Sequence, residues 1–299
     1  MAYYSGTAAN LTALRTALLT HAQADGWTLT GDVLSKAGVY FQIKETANNI
    51  TCLGCESNAV ASPAPGVVSI GRIFERSGYT TREMSFPCTY EVFGFTQEIY
   101  LVANYNVDSY QWMAFGKTGV PGVPGQGGWC CATLGPLDST LATDAITITT
   151  DMAGNYFGTS AAMFWGTSGA YPAPRNGWAN TWLDGHGWTY KGTINDLAIG
   201  INHAKPLIGC QPSAWNSEAT LLPIRCIKER PLYKSSLVVD LENARHFRID
   251  NYTAGDILTI GSDKWKLFPW YRKNSTSRNG GTNINHTGTF GWAIRYQGP

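Results

Sequence analysis

Asp256-Ile257-Leu258-Thr259-Ile260-Gly261-Ser262-Asp263-Lys264-Trp265-Lys266-Leu267-Phe268-Pro269-Trp270 decides the fold class of this chain. The run reads as two short strands joined by a Gly-Ser-Asp turn. Lys264, Trp265, Lys266 and Leu267 alternate polar with apolar, the period of a half-buried strand. A polar loop, 273–283, and a closing strand over 289–296 follow, so the chain ends in sheet. This end reads as structural, with no catalytic chemistry expected in it.

Working outward, the same period recurs. Residues 38–45 and 50–55 predict a hairpin turning at Ala47-Asn48-Asn49. Residues 88–95, 98–105 and 110–116 predict an antiparallel meander. Further strands are expected over 221–227 and 236–240. One stretch is helical: across 10–24, Leu11, Leu14, Leu18 and Ala22 share a face at helical spacing. Ser5 or Thr7 is expected to cap its start, and Gly26 to stop it. The fold class is therefore α+β, mostly antiparallel β. It divides into a helix on a sheet (1–128), an aromatic and glycine-rich region (129–218) and a C-terminal β region (219–299), the last two also readable as one continuous domain.

The composition constrains function. Of 299 residues, 14% are charged, against about 25% in an average soluble protein. The chain instead holds 33 Gly, 11 Trp and 15 Tyr. Such a surface suits burial in an assembly, because interface cores are poor in charge and rich in aromatics. The helix has almost no charge on its polar face, only Arg15 and His21. Leu11, Leu14, Arg15, Leu18 and Trp129 are accordingly the expected subunit-contact residues, within a homotrimer or homohexamer. A net charge of +1 with no basic block argues against nucleic acid as a partner. No run approaches the length of a membrane span and no signal peptide is visible, so membrane insertion is not expected.

Chemistry-bearing motifs are sparse. The seven cysteines include Cys52-Leu53-Gly54-Cys55 without a second such pair, and the adjacent Cys130-Cys131. They read as small buried strand residues rather than zinc ligands or a disulfide framework, so no metal or cofactor is expected. The glycine- and proline-rich loop 117–128 lacks the Gly-Lys-Ser/Thr ending of a phosphate loop and reads as mobile or subunit-bridging. Trp165, Trp178, Trp182 and Trp188 crowd one short stretch. They form either a platform for a host surface glycan or a core and interface cluster. Asp184, with another acid among Asp138, Asp144, Asp151 and Glu218, is the candidate pair of a polysaccharide depolymerase. His186, His203, Ser160 and Ser168 make no recognisable triad.

Two blocks carry a resemblance. One runs from Tyr90-Glu91-Val92 through Glu98-Ile99-Tyr100-Leu101-Val102-Ala103-Asn104-Tyr105 to Tyr110-Gln111-Trp112 and Phe115-Gly116-Lys117. The other covers Gly255 to Pro269, Arg272-Lys273 and His286 to Tyr296. Both resemble a family of tailed-bacteriophage virion structural proteins. The resemblance implies a subunit of the tail, baseplate or neck, made in the host cytoplasm and assembled with copies of itself and other virion proteins. It implies no catalytic residue. The absence of heptads and collagen-like repeats points to a compact subunit rather than a fibre shaft.

Overall fold

The computed structural model describes residues 1–59, 67–75, 80–133, 162–164, 177–185, 187–189, 197–199, 219–230, 232, 234–249, 251–273 and 290–299. Its described elements are antiparallel strands and one α-helix, α1 (Leu11–Ala24). The α+β class expected from the sequence is therefore the one observed.

A seven-stranded sheet forms the middle layer. Its spatial order is β1 (Ala2–Ala8), β9 (Cys88–Gly94), β10 (Glu98–Asn106), β11 (Ser109–Lys117), β12 (Gly128–Ala132), β13 (Gly177–Asn180) and β14 (Trp188–Thr189). A five-stranded sheet runs in sequence order: β2 (Thr28–Thr30), β3 (Val33–Lys36), β4 (Val39–Thr46), β5 (Asn49–Cys55) and β6 (Val67–Ile70). A hairpin of β7 (Arg72–Glu75) and β8 (Thr80–Glu83) follows it. The C-terminal sheet has six strands: β15 (Leu197–Ile199), β16 (Leu222–Arg230), β17 (Lys234–Arg248), β20 (Phe290–Tyr296), β19 (Asp263–Pro269) and β18 (Ile257–Ile260).

The alternation of β11 explains the layering. Phe115 meets Trp27 at 5.3 Å and Phe41 at 5.0 Å, on the side of the five-stranded sheet. Trp112 points the other way, to Trp270 at 5.4 Å and Trp292 at 5.5 Å in the six-stranded sheet. A strand covered on both faces has no polar side, and this one is buried almost throughout. The adjacent cysteines follow the same rule. Cys130 faces Cys52 of β5, whereas Cys131 neighbours Cys226 of β16. All six described cysteines are buried free thiols; Cys210 lies outside the described residues.

The helix lies against β1 and β9 on one side and β2, β4 and β5 on the other. Its cap is Asn10, whose Oδ1 accepts from Ala13 N at 2.8 Å. Ser5 and Thr7 are not available for capping because they are paired into β1. Gly26 ends the helix at φ 83, a conformation that costs glycine least. A single cluster of buried side chains runs from Ala8 to Tyr296 and includes residues of all three sequence segments.

The expected subunit contacts need correcting. Leu11, Leu14 and Leu18 are 4%, 0% and 0% exposed inside this chain, and Trp129 is also fully buried. Arg15 pairs with Asp32 and donates to Ile43 O at 2.9 Å. Their surfaces are spent on the protein's own sheets. The face that α1 does expose consists of Thr12, Thr16, Thr20, Gln23 and Ala24.

Candidate functional site

A polar recess sits where the seven- and six-stranded sheets meet, with a volume of about 400 Å3. Glu98 and Lys117 of the middle sheet and Gln97 of the β9–β10 turn line it, opposite Glu242, Asn243 and Arg295. Glu98 opens β10 and begins an otherwise apolar run, so the strand carries its carboxylate into the sheet junction, where it is 4% exposed. Oε2 accepts from Asn243 Nδ2 at 2.7 Å, Tyr100 Oη at 2.9 Å and Asn243 N at 3.2 Å. Oε1 accepts from Glu242 N at 3.2 Å. No described cation pairs with it. Burial raises its pKa above the ordinary glutamate value, although the four hydrogen bonds pull the other way. Three of the four donors belong to β17, so the carboxylate staples two sheets together.

Rim charges are also engaged. Lys117 Nζ donates to Ala37 O at 2.7 Å, and Arg295 Nη2 to Asp263 Oδ2 at 2.7 Å. Beside the recess, Lys266 of β19 reaches Glu91 of β9 at 2.5 Å and lies over the rings of Tyr3 and Tyr296. Burial works to lower the Lys266 pKa, but the bond to Glu91 outweighs it and the net direction is up. This is a second clamp between the same sheets.

The three described tryptophans of the expected platform do not share an open surface. Trp178 is 2% exposed, and its Nε1 donates to Val67 O at 3.0 Å. Trp188 is 6% exposed and fills the space above Gly54, where an added Cβ would stand 2.3 Å from the ring. Stacking on a sugar needs an open face, which neither indole has. Among the described three, Trp182 alone is open, at 48%, beside Gly125 and Gly187. Trp165 lies outside the described residues.

The loop 117–128, expected to be mobile or bridging, is tied within the chain. Gly125 N donates to Thr181 O at 2.9 Å, Gly127 N to Asn180 O at 3.1 Å, and Gln126 Nε2 to Glu56 O at 2.7 Å. Asp184 occupies a turn at φ 56, and its two oxygens hold the Arg230 guanidinium in a fork at 2.9 and 2.8 Å. The acids considered as its partners, Asp138, Asp144, Asp151 and Glu218, lie outside the described residues, as do His186, His203, Ser160 and Ser168. Among the described residues no group of three or more His, Cys, Asp or Glu is placed to hold a metal ion. No described helix is long and apolar enough to cross a membrane.

No sequence motif marks Glu98 as a site residue. Its signal was an acid at the head of Ile99-Tyr100-Leu101-Val102, a run that reads as buried on both faces. No protein-family profile matches the chain, and no curated protein is found similar to it.

Proposed function

We propose that this chain is a non-enzymatic structural subunit of a tailed-phage virion, in the tail, baseplate or neck. It acts by associating with copies of itself and with neighbouring virion proteins. One observation carries the reading: the two blocks that resemble virion structural proteins fall on β9–β11 and β18–β20, which pack on each other. Trp112 Nε1 donates to Trp270 O at 3.0 Å, and the rings of Trp270 and Trp292 stack at 4.9 Å. The resemblance thus rests on the framework joining two sheets rather than on surface loops. The use of Glu98, Lys266 and Asp184 as internal clamps supports the same reading. An amber allele of the gene tests it. Non-suppressing growth should give particles with a missing or incomplete tail structure, restored by suppression. Complete, infectious particles lacking the protein would remove the proposal.

Recognition of a host surface glycan is the second reading, narrowed by the structure to Trp182 among the described tryptophans. Soluble bacterial polysaccharide should then compete with particle adsorption, and Trp182→Ala should abolish adsorption. Unchanged adsorption by the variant would dismiss this reading.

A further inference from the structure

β1 closes one side of the seven-stranded sheet, and among the described residues no strand, proline, charge or bulge blunts its outer edge. Ala2-Tyr3-Tyr4-Ser5-Gly6-Thr7-Ala8 contains no charge and no proline. Its pairing with β9 runs unbroken from Ala2↔Gly94 to Ala8↔Cys88, with no bulge. β9 is its one strand partner among the described residues, and Ser5 and Thr7 are exposed. Edges of this length are normally blunted by lysine, proline, a bulge or a covering element. Every second residue of such a strand directs its N–H and C=O outward.

We infer that β1 pairs antiparallel with β1 of a second copy of this chain, about a two-fold axis at Ser5, which joins two seven-stranded sheets into one. The sequence of the strand names the occupant. Being uncharged, it meets its own copy without the like-charge repulsion that penalises cross-strand pairs. Centring on Ser5 sets Tyr4 opposite Gly6 of the other copy, Tyr3 opposite Thr7 and Ala2 opposite Ala8. Within one chain Gly6 already stands opposite a tyrosine, since Tyr90 is its partner on β9 and the Tyr90 hydroxyl lies 2.7 Å from where a Cβ would be. The two-fold pairing gives the same glycine a tyrosine on its other side. A seven-residue strand pair buries less than the roughly 1,200 Å2 of a standard stable interface, so the dimer is weak and depends on concentration. The inference stands whether or not the protein is a virion subunit.

Cysteine cross-linking tests it. Directly opposed residues in an antiparallel pair have Cα atoms about 4.5–5.5 Å apart, inside the roughly 4.4–6.8 Å that a disulfide spans. Two copies of residue 7 would instead lie roughly 14 Å apart along the strands, at about 3.4 Å per residue. Ser5→Cys and Thr7→Cys are both exposed substitutions, and the described native thiols are buried. Under copper–phenanthroline oxidation, Ser5→Cys should form a disulfide dimer at least about tenfold faster than Thr7→Cys, above any background from the parent chain's own thiols. The parent's mass by light scattering should rise towards a dimer across a concentration series. A constant monomer mass, or equal cross-linking at positions 5 and 7, overturns the inference.

Discussion

Replacing Glu98 separates the two roles its carboxylate plays between the sheets. In Glu98→Ala, Tyr100 Oη, Glu242 N, Asn243 N and Asn243 Nδ2 all lose their acceptor. At about 1 kcal/mol for each hydrogen bond lost, the cost is about 4 kcal/mol, a large share of a typical domain's stability. Glu98→Gln keeps the shape and one acceptor oxygen, and it removes the titration. The folded pKa is raised by burial, so the folded state holds this proton more tightly than the unfolded chain does. The protonation-linked stability is therefore fully present below the unfolded glutamate value of about 4.3 and is lost as pH rises through the folded pKa. Urea unfolding followed by tryptophan fluorescence reports both effects. Glu98→Ala should unfold at lower urea throughout. The advantage of the parent over Glu98→Gln should be largest at pH 4 and shrink towards neutrality. A parent that gains on Glu98→Gln as the pH rises would refute the argument that burial outweighs the hydrogen bonds here.

His246 carries the opposite sign. Burial lowers its pKa to about 3, so its contribution is present above the unfolded value of about 6.5 and is lost as pH falls towards 3. Between pH 6.5 and 5 that amounts to about 2 kcal/mol, and His246→Leu should lack this slope in urea titrations at matched pH. Gly54→Ala places a methyl group 2.3 Å from the Trp188 ring and should cost more than about 2 kcal/mol of stability, read as a lower urea midpoint. Gly119→Ala, with nothing within 4 Å, should stay within about 0.5 kcal/mol of the parent.

Strand regions with clean period two were readable from the sequence. The 39–55 and 257–269 hairpins carry both the alternation and their turns. β10 and β11 show instead the continuous apolar run of a doubly covered strand. The helix was legible from its leucines, but not its cap. Ala2–Ala8 mixes small residues with tyrosines and carries no alternation, so its sequence does not signal β1, and Ser5 and Thr7 read as helix caps although the strand consumes them. The tryptophans failed for another reason. Composition places aromatics close together, yet only the layered packing decides that Trp178 and Trp188 face inward while Trp182 faces out. The Leu11, Leu14 and Leu18 stripe likewise identifies an apolar face without saying whether it meets its own sheet or another subunit. Glu98 needed long-range pairing with β17, 145 residues away at Asn243, which no local pattern encodes.

Quantitative mass spectrometry of virus-like particles purified from lysed cultures that express this gene tests the proposed virion role most directly. A structural virion subunit predicts peptides of this chain that persist through density-gradient purification and a high-salt wash, at a fixed copy number per particle divisible by three or six. Peptides found only in the soluble lysate, with none in washed infectious particles, would contradict it.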